Sequence, residues 1–257
     1  MFTRIIMLMF VAMLALPVAT LTQSGDSSHA PWSNGAVAAK GKKHKKSKPT
    51  SRTITRTARG PVTQTFTGTG PIVIPKEGSS SDKGSADPYP VTIEVSGMPN
   101  GVITDVDLLL FDVTHVQPED IDILLAKDDG RRALVMSDVG RNNAITNVDL
   151  TLDDEAAASM PASIFDPPLD SESYQPTNFT QPVDVDDFAA PAPAPNGSVA
   201  LSTFDGTNPN GMWQLFVMDD ESALVGDIRT WALRITAEVD VPGPNHAKHK
   251  KHKKGRK

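Results

Sequence analysis

The clearest signal along this chain is alternation. Val91, Ile93 and Val95 are separated by Thr92 and Glu94, and Val148, Leu150 and Leu152 by Asp149 and Thr151. Trp213, Leu215 and Val217 alternate in the same way, as do Trp231, Leu233 and Ile235 on the way to Val239. A period of two sends alternate side chains to one face of an extended chain, so each run predicts a strand. Ile103–Val113 is a longer candidate, with Val106, Leu108 and Leu110 on one face. Ile121–Ala126 and Ala133–Met136 are short, mostly apolar runs, and Ile72-Val73-Ile74 lies between Pro71 and Pro75. Turn residues punctuate these runs at Gly97-Met98-Pro99-Asn100-Gly101, Asp128-Asp129-Gly130, Asp138-Val139-Gly140 and Asp219-Asp220. About eight short strands so spaced predict an all-β protein, a jelly-roll-like antiparallel β-sandwich. The expected core is Val106, Leu108, Leu110, Ile123, Leu125, Leu150, Trp213, Leu215, Val217, Trp231 and Leu233.

Two stretches break the pattern. Glu155–Met160 alone looks helical, for a turn or two. Asp153–Gly197 carries eight prolines, which excludes helix and central strand. A connection this long is either a functional loop or a crossover covering an open sheet edge.

The ends have a different composition. In residues 1–22, Arg4 precedes the apolar run Ile5–Leu16, and small residues follow Pro17, the layout of a secretory signal or an uncleaved anchor. Residues 23–60 are polar, Lys-rich and without apolar periodicity, so a linker is expected there, with the body at 61–239 and a tail at 240–257. Residues 40–59 hold nine cations and no acid, and residues 242–257 hold seven cations and no acid. Residues 87–241 set six cations against 28 acids. The overall charge of −6 therefore hides an acidic body with two basic, disordered flanks. The flanks serve solubility, or hold a polyanion such as an anionic cell-envelope polymer, a lipid surface or nucleic acid. The expected address is secreted or cell surface.

Little catalytic chemistry is available. The chain has no Cys, no H-E-x-x-H, no G-x-S-x-G and no phosphate-cradling Gly-rich motif. Of six His, only His115 lies in the expected body, where it reads as a structural side chain bonding a neighbouring loop. No catalytic residue is assigned. Calcium is the one cofactor expected, because a hard cation wants six to eight oxygens and carboxylates crowd the strand ends. The candidate ligands are Asp120, Asp122, Asp138, Asp153, Asp154, Asp219 and Asp220. Trp213 and Trp231 lie on apolar faces and are expected in the core rather than on a sugar-binding platform.

An ordered series of these residues resembles a known family. Ile103-Thr104-Asp105-Val106-Asp107-Leu108, Thr114-His115, Asp120-Ile121-Asp122-Ile123-Leu124-Leu125 and Asp129-Gly130 come first. Leu134, Ser137-Asp138-Val139-Gly140, Leu152-Asp153-Asp154 and Phe204 follow. Asn208-Pro209-Asn210-Gly211-Met212-Trp213-Gln214-Leu215, Asp219-Asp220, Gly226 and Trp231-Ala232-Leu233 complete it. Together they resemble the P domain (P/Homo B domain) of proprotein convertases over about residues 61–239. The resemblance implies a jelly-roll sandwich that accompanies, folds and regulates a subtilisin-like serine protease domain. Residues 23–60 are too few to hold such a domain. Three readings follow: a secreted non-catalytic interaction or structural module, an accessory of a separate subtilisin-like endopeptidase, and a carbohydrate-binding jelly roll.

Overall fold

The computed structural model describes residues 57–76, 84–163, 165–179, 186–221 and 225–242. The expected signal, most of the linker and the tail beyond Pro242 lie outside the described residues.

The protein is an all-β sandwich. In the first sheet, β1 (Thr57–Thr67) and β2 (Ile72–Ile74) lie end to end along one edge of the long strand β12 (Gly226–Pro242). On the other side of β12 come β5 (Val102–His115), β8 (Ile145–Leu152) and β9 (Ser173–Tyr174). In the second sheet the order is β10 (Thr177–Asn178), β7 (Arg132–Ser137), β6 (Ile121–Lys127), β11 (Gly211–Asp219). The far edge of β11 is shared by β3 (Gly84–Ser85) and β4 (Val91–Val95). Two short 3-10 turns, Pro118–Asp120 and Leu201–Phe204, complete the described elements.

Alternation built this core as expected. All eleven predicted core residues belong to one cluster between the sheets, among them Leu108, Trp213 and Trp231 with no exposed surface. β6 and β11 have a second, smaller apolar layer on their outer face, formed by Leu124, Ala126, Leu134, Phe216 and Met218 under Phe188. Covered on both faces, β6 therefore reads as a nearly continuous apolar run, while β11 adds Phe216 and Met218 to its alternating inner positions.

The architecture corrects several expectations. Among the described residues there are twelve strands, several of them short, where about eight were expected, and the sheets are mixed, because β9 runs parallel to β8 and β10 parallel to β7. Residues 57–60 of the expected linker belong to β1, since the free edge of β12 offers backbone partners from Thr57↔Pro242 to Thr67↔Ala232. Pro61, opposite Glu238, is tolerated because an edge strand need not donate on both sides. The expected tail likewise contributes residues 240–242 to β12. Glu155–Met160 is not helical. The Asp153 carbonyl accepts the Ala156 N–H (3.1 Å) and Asp153 Oδ1 the Glu155 N–H (2.8 Å), which closes a single turn, and Ser159 then forms an isolated parallel bridge with Gln175. The Pro-rich excursion is a crossover: β9 and β10 extend the open edges of the two sheets, and Phe188 covers the outer face of the second.

Candidate functional site

The seven candidate carboxylates do not gather in one place. Asp153 and Asp154 follow β8, whose Leu152 pairs with Leu108 in the middle of β5. Asp154 is occupied with structure: its two oxygens accept the N–H groups of Leu201 (2.9 Å) and Ser202 (2.7 Å), the first turn of the second 3-10 element. Thr104, Asp105, Glu155 and Asp205 line a small pocket beside it. This group is separate from the other five candidates.

Those five lie where β6 begins and where β7 and β11 end. Asp219 pairs with Ile121 across the β11–β6 ladder, and Met218 pairs with Asp122. Because side chains alternate, the two residues of each strand face opposite ways. Asp219 shares the inner face with Val217, which belongs to the main core. Asp122 shares the outer face with Met218 and Leu124.

On the inner side, Asp219 meets His115 at the end of β5. His115 Nε2 lies 3.4 Å from Asp219 Oδ2, and both side chains are fully buried. His115 Nδ1 meets its own loop in either tautomer, 2.7 Å from the Gln117 carbonyl oxygen, to which a protonated Nδ1 donates, and 3.2 Å from the Gln117 nitrogen, whose N–H an unprotonated Nδ1 accepts. His115 thus bonds its own loop. Gln117 Nε2 donates to Asp120 Oδ1 (2.8 Å), and the Asp120 carbonyl accepts the Asp220 N–H (3.1 Å). Three buried atoms of this group have no hydrogen-bond partner: His115 Nε2, Asp120 Oδ2 and Asp219 Oδ2. Burial pushes the Asp120 carboxyl up to about 6; the Gln117 bond opposes this and the Asp219 charge adds to it. Gly226 closes the group from β12. Any side chain there would run into the Thr114 carbonyl and the His115 ring.

On the outer side, Asp122 is 2% exposed and its Oδ2 has no partner. Burial, then the charges of Asp220, Asp186 and Asp138, push its carboxyl up to about 8, against a hydrogen bond from Ser137. The Ser137 hydroxyl, which has one hydrogen to give, also lies 2.5 Å from Asp186 Oδ1 and 3.3 Å from Asp138 Oδ2. Asn178 Nδ2 donates to Asp186 Oδ2 (3.1 Å). Asp138 sits in the left-handed region (φ 55°), which Asp tolerates better than most residues, and Gly140 (φ 80°) follows it. Asp186 was missed by sequence reasoning. It lies in the Pro-rich excursion, and only the parallel pairing of Asn178 with Ser137 brings that segment here.

Among the described residues no three His, Asp or Glu side chains form a ready-made metal cage. Trp213 and Trp231 are core, with Trp213 Nε1 donating to the Pro209 carbonyl (3.0 Å) and its ring against Phe204. No protein-family model matches the chain, and no curated protein matches it.

Proposed function

We propose that this chain is a secreted or cell-surface, non-catalytic β-sandwich module that attaches to an anionic envelope polymer through its basic segments. The observation that carries this reading is the pairing of Thr57 with Pro242. It makes the chain enter and leave the acidic sandwich side by side, with eight cations in residues 40–56 preceding the entry point and seven in residues 243–257 following the exit. Two tethers on neighbouring residues act on one polymer at high effective concentration, and each raises the retention given by the other. His115, the one histidine among the described residues, has its ring buried between a backbone carbonyl and a carboxylate, which supports a structural role over a catalytic one. The test is retention of the full chain on immobilised polyphosphate across a salt series. Steep loss of retention with rising salt is expected, and removal of residues 244–257 should lower the salt needed for release. Retention that is indifferent to both would overturn the proposal.

A second reading, accessory to a separate subtilisin-like protease, draws support from the P-domain resemblance. The quoted Trp213, Trp231 and His115 are all interior residues of a β-sandwich. Co-purification of a serine protease with the native secreted protein would favour it over polymer attachment.

A further inference from the structure

The edges of the two sheets are not alike. β9, β10, β3 and β4 are strands of two to five residues, and short edge strands offer little for another chain to pair with. β1 is eleven residues long and follows β12 with no break in register. Among the described residues it pairs with β12 alone. Beyond Pro61 it reads Val62-Thr63-Gln64-Thr65-Phe66-Thr67, with no charge, bulge or further proline to blunt it.

The backbone groups on its free side can be named. The Gly68 N–H donates to the Trp231 carbonyl (2.8 Å), which continues the β1–β12 register. Hydrogen-bonded pairs alternate along an antiparallel ladder. Gly60, Val62, Gln64 and Phe66 therefore bond to β12, while Arg59, Pro61, Thr63, Thr65 and Thr67 turn their backbone groups outward. Pro61 thus sits where β12 needs no N–H from it. On the inner face, Val62 and Phe66 are only partly buried against the core, so the edge is also incompletely covered.

We propose that β1 pairs antiparallel with β1 of a second copy across a twofold axis at Gln64. The strip is self-complementary about that residue. Val62 falls opposite the partner's Phe66 on the inner face, and Thr63 opposite the partner's Thr65 on the outer one, both favourable cross-strand pairs. The Thr63–Thr65 pairs exchange the outward backbone bonds, and each Thr67 N–H reaches the partner's Pro61 carbonyl, where the ladder ends. Moving the axis by one residue sets Phe66 opposite Gly60 or Gln64 and leaves Val62 without an apolar partner. Charge also favours a second copy. Residues 60–67 carry none, so two acidic bodies meet here without setting carboxylates face to face. The two Thr57 ends lie roughly 45 Å apart along the joined strands, several screening lengths, so the basic segments of the copies do not repel. The inference is independent of polymer attachment, since it uses no residue of those segments.

The experiment is sedimentation of the full chain from about 1 μM to about 1 mM. One strand per copy makes a small interface, so a dimer that grows with concentration is expected. Thr65→Pro should remove the dimer while the body stays folded, because it takes away only an outward N–H. Gln64→Lys and Gln64→Glu should each be monomeric, since the axis sets like charges opposite each other, and an equal mixture of the two should pair again. Gln64→Cys, in a chain without other cysteines, should give a disulfide-linked dimer on mild oxidation much faster than Thr92→Cys on β4. A chain that is monomeric at every concentration, a dimer that survives both Thr65→Pro and Gln64→Lys, or equal crosslinking of the two cysteine variants would overturn the pairing.

Discussion

At the Pro242 end of β12, charged and polar groups sit in water. Arg59 donates to the backbone oxygens of Asn100 (3.1 Å) and Glu238 (2.6 Å), and Asn100 Nδ2 reaches Asp240 Oδ2 (2.6 Å), all at exposed sites. At the Gly226 end, roughly 50 Å of extended strand away, His115, Asp120, Asp122 and Asp219 are each at least 97% covered. The same residue types therefore do different work at the two ends. Exposed carboxylates are screened and cost little, so the Pro242 end tolerates dense charge without arranging it. Buried ones impose conditions on every neighbour, and the Gly226 end is built around meeting them.

The largest test of that contrast is Asp219→Ala. It strips His115 Nε2 of its facing carboxylate in a fully buried site, and about 3 kcal/mol of stability should be lost in chemical denaturation. A loss under about 1 kcal/mol would show that the two ends are equally tolerant. Gly226→Ala comes next. Its methyl group meets backbone as well as the His115 ring, so relief requires the β5–β12 ladder to shift, at about 1–3 kcal/mol. Asp240→Ala, at the opposite end, should change the unfolding free energy by less than about 0.5 kcal/mol, because it loses only an exposed bond to Asn100.

The smallest effect concerns neither end but the apolar cover between them. Tyr89 donates to the Ala189 carbonyl (2.9 Å) and meets Phe216 edge-on at 5.2 Å. Burial first, then the Asp187 charge, pushes its phenol up to about 12. The unfolded phenol ionises near 10. Stability from this group is therefore complete below pH 10 and declines as pH rises toward 12. Ultraviolet titration should show one tyrosine ionising well above 10. Both tyrosines ionising at 10 would mean that the 186–189 segment does not cover this face.

The sequence revealed what periodicity encodes and hid what depends on distant partners. β4, β8 and β12 were legible because one face of each is apolar, and β11 because Trp213, Leu215 and Val217 alternate along its inner face. β1 was not, since nearly every second residue is exposed and its partner lies about 170 positions away in the chain. β9 and β10 are two residues each and exist only because the edges of β8 and β7 are free. The acidic residues were visible individually as strand-end carboxylates, but their grouping was not. Asp153 resembles Asp219 in sequence as an acid closing a strand, and only topology sends one to β8 and the other to the His115 corner. Asp186 gave no local signal, because its role comes from a hydroxyl 49 residues earlier.

The antiparallel pairing of Thr57 with Pro242 also sets how the body responds to force. Tension applied between the two attached segments opens β1 from β12 like a zip, breaking ladder bonds one pair at a time. Tension between those segments and the His115 corner runs along β12 and loads the flanking ladders in shear, where many bonds must fail together. A module anchored by both segments to one polymer, and gripped by a partner at the far corner, would thus be loaded along its mechanically strong axis.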